Sequence, residues 1–121
     1  MEPCWMALGQ AAGAAASLAV DSGCAVQDID VKCLQEVLLN HGATLFYMED
    51  VSVSDPDYKA FTILGLEGYI PGWEALPDDQ VSEADLKLWS SLAPGSLDGV
   101  PSGSRREALR WIYRKYYLTA E

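Results

Sequence analysis

Two glycines four residues apart, Gly9 and Gly13, stand in a stretch from Cys4 to Val20 that carries no charged side chain. On a helix this spacing puts both on neighbouring turns of one face, where a missing Cβ lets a backbone, a sheet or a bound group come close. A helix N-terminus adds unpaired N–H groups and the positive end of the dipole, which suit an anionic group such as a phosphate. The plainer reading is close packing of two helices, and spacing alone leaves both open. A second group, Tyr69, Pro71 and Trp73, is interleaved with glycines at Gly68 and Gly72. It suits either an aromatic platform for a sugar or packing between two flanking helices.

The other chemistry-bearing residues assemble nothing by their spacing. The single histidine, His41, adjoins Gly42 at an expected helix end, where an imidazolium complements the dipole. Cys4, Cys24 and Cys33 contain no CxxC pair, and with one histidine they supply no zinc set of standard spacing. Cys4 and Cys33 are expected as small core residues. Asp28, Asp30 and Glu36, like Asp55 and Asp57, lack the ligand pattern of a calcium loop and are expected to cap helices. Asp78 and Asp79 are adjacent, which does not create the separated, differently tuned carboxylates of acid/base hydrolysis. No catalytic residue and no metal site is assigned.

The elements that must position these residues are helical. At 121 residues and 13.2 kDa the chain holds one domain, or one with a small appendage, and no complete cofactor fold beside a second domain. The uncharged stretch predicts a first helix from about Trp5 to Val20, stopped by Asp21, Ser22 and Gly23. Asp30 caps a second from Val31 to Asn40, with Gly42 as its stop. Asp55 as N-cap and Pro56 at the first helical position open a third, reaching about Leu64. Ser82 with Asp85, and Ser104 with Glu107, have the form of capping boxes opening helices to about Leu92 and Leu118. Thr44 to Val51 is expected as a short extended connector, and Ala93 to Ser104 as loop. The expected fold is predominantly all-α, a small bundle of about five helices with little or no sheet.

Charge is divided unevenly along the chain. The net value is −10, but residues 1–104 hold 3 basic and 16 acidic side chains, a net −13, and residues 105–121 hold 5 and 2, a net +3. The last helix is therefore expected to lie over the acidic body by its Leu109, Ile112, Tyr113 and Tyr116 face. The overall sign argues against nucleic acid as a partner. The alanine-rich first helix begins without basic residues and contains Gln10 and Ser17, so neither a signal peptide nor a membrane span is expected, and the default location is cytoplasmic.

Glu2, Pro3, Met6, Ala7, Leu8, Gly9, Gln10, Ala11, Ala12 and Gly13, followed by alanines, resemble the C-terminal flavin-binding stretch of FAD-dependent oxidoreductases of the xanthan lyase-like kind. The likeness continues through Val26, Gln27 and Asp28 and through Leu34, Gln35, Leu38 and Leu39, up to Gly42. It implies FAD as cofactor of the parent family, with Leu8, Gly9, Gln10, Ala11, Ala12 and Gly13 as the cofactor-binding segment and Gly9, Gln10 and Ala11 as backbone donors. That family grips the pyrophosphate with a GxGxxG turn, which this sequence lacks, and places an Arg before the apolar position matched by Met1. The expectation is a C-terminal fragment or remnant, inactive and without bound FAD by itself, whose start is internal or truncated. Its partner would be the missing N-terminal flavoprotein region, or another copy through the uncovered alanine and glycine face.

From Glu49 to Leu92 the chain resembles an S-layer-homology repeat, through Asp50-Val51, Tyr58, Ala60, Ile63, Leu64, Gly68-Tyr69-Ile70-Pro71-Gly72, Pro77 and Val81-Ser82-Glu83-Ala84-Asp85. The likeness implies two short helices around a glycine-containing loop and, in the family, glycan binding through an Arg. Glu83 stands at that position and would repel an acidic glycan. The expected division is residues 1–43 as a helical hairpin, 44–93 as the repeat, and 94–121 as linker and basic helix. The alternative function is a stand-alone interaction or glycan-binding module whose ligand loop contains Tyr69 and Trp73.

Overall fold

The computed structural model describes residues 2–118, so Met1 and its place in the motif, with the last three residues of the expected basic segment, lie outside the described residues. The fold is all-α. Helices α1 (Glu2–Ser22), α2 (Val31–Asn40), α3 (Tyr58–Leu66), α4 (Glu83–Leu92) and α5 (Arg105–Tyr116) follow in order, with a 3₁₀ turn at Val26–Asp28. Among the described residues the only pairing of β type is an isolated antiparallel bridge between Gln80 and Ser104.

The chain forms two compact units, Met1–Leu45 and Phe46–Glu121. In the first, α1 packs on α2 and on the 3₁₀ turn. Gly23, at φ +64, ends α1 by letting Cys24 N–H reach the Ala19 carbonyl at 3.1 Å. Asp30 caps α2 as expected, accepting from Lys32 N–H at 2.8 Å. Gly42, at φ +79, follows its end, where His41 Nδ1–H donates to the Val37 carbonyl at 2.8 Å. Cys4 and Cys33 were expected in a core and are both exposed, because this unit buries only Ala15, Ala19 and Leu38 among its described residues.

The second unit has a real core. Phe61 and Leu64 of α3, Trp89 of α4, and Leu109 and Ile112 of α5 are almost wholly buried, and α3 packs on α5. Both capping boxes form, Ser82 with Asp85 and Ser104 with Glu107. The third helix departs from expectation at both ends. It starts at Tyr58; its N-cap Asp57 makes no side-chain cap because that carboxylate binds Arg106 and Arg110, while Asp55 Oδ1 accepts from Asp57 N–H at 2.8 Å as well as from Arg106. It also runs past the expected end at Leu64, through Gly65 to Leu66; a Cβ on Gly65 would stand 2.5 Å from the Phe46 ring, so glycine is what seats Phe46 on the helix. Gly68, at φ +91, follows its end.

Candidate functional site

The segment Leu8–Gly13 lies inside α1, which starts at Glu2. Its backbone N–H groups are therefore in helix-interior positions, and the unpaired donors of a helix belong to its first turn. A Cβ on Gly9 or Gly13 would meet nothing within 4 Å, so no other described residue of this unit uses the space the two glycines leave. Each glycine weakens a helix interior by about 1 kcal/mol relative to alanine. Trp5 and Met6, one turn earlier, are 66% and 76% exposed. Gln10, Ala14, Ser17, Leu18 and Asp21 of α1, with Val37 and Leu38 of α2 and His41 at its end, line a groove of about 420 Å³.

These residues test the fit of a flavin plainly. Leu8–Gly13 offers a close-approach surface and one polar side chain, Gln10, and the described residues of the unit add no enclosing wall or phosphate grip, so by themselves they do not fit a flavin. The neighbouring Asp30 charge, with the Sγ–H bond to Asp30 at 3.6 Å, pushes the thiol of exposed Cys33 up. No cluster of three potential metal ligands occurs among the described residues. No helix among them is long and apolar enough to cross a membrane.

In the second unit the structure separates the two residues of the expected ligand loop. Tyr69 is fully buried, with its hydroxyl 3.1 Å from that of Tyr117 and its carbonyl accepting from Trp89 Nε1–H at 3.0 Å. It is a core residue, and burial with the Tyr117 contact pushes its phenol well above the ordinary range. Trp73 is 68% exposed and meets the edge of Tyr47, itself 60% exposed. Sequence spacing gave no sign of Tyr47, 26 residues away. Nor did it show that Asp50 braces this loop by accepting from Ala75 N–H at 2.8 Å and Leu76 N–H at 2.6 Å. Leu76 holds φ +50, a left-handed conformation costing a non-glycine residue about 1–2 kcal/mol.

The arginines of α5 fix the other side of the same unit. Arg106 reaches Asp55 through Nη1 at 2.9 Å and Nη2 at 3.1 Å, and Asp57 at 2.8 Å. Arg110 grips Asp57 through Nε at 2.8 Å and Nη2 at 2.5 Å. The Arg106 bond holds Asp55 below the usual carboxylate range, and the Arg110 bond does the same for Asp57. Arg105 is buried; it pairs with Asp85, donates from Nε to the Ala75 carbonyl at 2.9 Å, and lies over Trp89. Burial would raise Asp85, but the bonds from Arg105 and Ser82 outweigh it and hold the carboxyl low. The basic helix is thus docked on the acidic segments by ion pairs.

Residues 1–38 match the family model described as FAD dependent oxidoreductase. The match ends within α2 and lies wholly in the first unit. It defines an FAD-dependent oxidoreductase-related region in that part of the chain, and FAD is the cofactor its family implies. Neither the curated proteins nor the solved structures contain a match to the chain.

Proposed function

We propose that this chain is the C-terminal part of an FAD-dependent oxidoreductase of the xanthan lyase-like kind. In this reading α1 contributes one wall of the flavin site through Leu8–Gly13, and the phosphate grip and the rest of the cavity come from a flavoprotein region outside these residues. The observation that carries it is the coincidence of the family match with two helix-interior glycines beside which no other described residue of the unit packs. Residues 1–43 form the flavoprotein hairpin, 44–93 an S-layer-homology-like repeat, and 94–121 its linker and closing helix. The succession of α3, a glycine-containing loop and a boxed α4 supports the repeat. By itself the chain is not catalytic. Adding FAD to the purified protein is expected to give no stoichiometric yellow complex after gel filtration; a stable one would overturn the claim that the wall is incomplete.

A second reading, an interaction module built on the Phe46–Glu121 unit, is favoured by the exposure of Trp73 on a loop held at several backbone points. The two readings concern different units and are compatible. Retention of the chain on cell-wall or other polysaccharide at low salt, lost in Trp73→Ala, would make the ligand a glycan.

A further inference from the structure

The exposed Tyr47 and Trp73 rings meet at 83° with centroids 6.2 Å apart. Tyr69 and Tyr117 meet in nearly the same way, at 87° and 5.9 Å, but there the pair is part of the packing and its hydroxyls are bonded to each other. At Tyr47 and Trp73 the same geometry is turned to solvent, and the backbone beneath it is pinned. Glu49 N–H donates to the Trp73 carbonyl at 2.8 Å, Asp50 receives both Ala75 and Leu76 N–H groups, and Arg105 binds the Ala75 carbonyl. A loop fixed in this way, with Leu76 at positive φ, presents its aromatic side chain at a set position.

The surroundings of the pair are acidic. Glu74 follows Trp73 in the chain, and the bond from Glu49 to Trp73 places Glu49 at the same point; both are exposed. Elsewhere the protein covers its rings with its own cations: Arg105 over Trp89, Arg106 over Phe61, and Lys115 over Trp111 and Tyr116. Among the described residues no cation lies over Tyr47 or Trp73. Two rings in an edge contact at right angles make a poor flat platform for a sugar, but both are largely exposed, and an exposed ring face suits a cation.

Resting on the interaction-module reading, we infer that the Tyr47–Trp73 corner binds an arginine or lysine side chain of a partner polypeptide, with Glu49 and Glu74 supplying the opposing charge. The test is a titration of the whole chain, followed by the tryptophan indole and backbone amide signals in ¹H–¹⁵N spectra. Three probes are compared: acetyl-Gly-Arg-Gly-amide, the same peptide with neutral citrulline for arginine, and cellotetraose. The arginine peptide is expected to shift the Trp73 indole saturably and leave the equally exposed Trp5 in place. Trp73→Ala should remove the accompanying shifts at Tyr47 and Glu49 while the rest of the spectrum stays folded. Glu74→Gln should weaken binding about two- to fivefold, the size of an exposed cation–π site losing part of its field. Equal responses to the arginine and citrulline peptides would overturn the inference. A response to cellotetraose alone would overturn it too, yet leave a binding module in place; silence to all three probes would remove both.

Discussion

The two units solve the problem of burying apolar surface in opposite ways. The first leaves Trp5, Met6, Leu8 and Val20 exposed along α1 and buries only two alanines and one leucine among its described residues. The second closes on itself: Trp89, Phe61, Leu64, Leu109 and Ile112 fill its centre, and ion pairs of Arg105, Arg106 and Arg110 tie α5 to the rest. The family likeness falls on the unit without a core of its own. In the proposed reading, the rest of a flavoprotein covers this surface. The difference therefore teaches that inheritance and self-sufficiency reside in different parts of this chain.

The largest effect that would sharpen the contrast is at Trp89. Trp89→Ala empties the centre of the second unit and orphans the Tyr69 carbonyl, at a cost of about 3–5 kcal/mol. Hydrogen exchange read segment by segment should show α3 and α5 losing protection while α1 is unchanged; an equal loss in α1 would show that the units are not independent.

Next is Arg106→Ala, which leaves the half-buried Asp55 without its bidentate partner and should cost about 2–3 kcal/mol, below the range for a fully buried pair. The same carboxylates set a pH dependence. Asp55, Asp57 and Asp85 are held below their ordinary value, so their contribution is complete above about pH 4 and is lost as pH falls through the lowered folded values. Urea midpoints measured down the acid limb should fall for the native second unit, and less steeply for Asp57→Asn. An acid limb identical in that variant would assign the loss to other groups.

The smallest effects are in the first unit and have the opposite sign. Gly9→Ala and Gly13→Ala meet no atom and should each raise the thermal stability of α1, by about 0.5–1 kcal/mol. Helicity by far-UV circular dichroism reads this directly. A loss of helicity would mean that the space beside the glycines is filled within this chain.

Much of the fold was legible because it was written in local signals. The caps at Asp30, Ser82 and Ser104, with their partners two or three residues away, form as their spacing implies. The positive-φ glycines Gly23 and Gly42 follow helix ends. The third helix was less legible for a physical reason: Asp57 looks like a cap, but its carboxylate is taken by arginines about fifty residues away, while Asp55 holds both the local Asp57 N–H and Arg106. Tyr69 and Trp73 look like one aromatic loop for a similar reason. Their opposite fates are decided by Tyr117 and Trp89 on one side and by Tyr47 and Asp50 on the other.

By itself the sequence determined an all-α chain, its five helices, and a flavoprotein-related beginning, since helix periods, caps and a contiguous motif all lie within a few residues of one another. Only the tertiary structure decided which glycines remain unused, which aspartates become ion-pair partners, and which aromatic residue stays in water. Those outcomes depend on which distant groups arrive at the same point in space, and no local spacing contains that information.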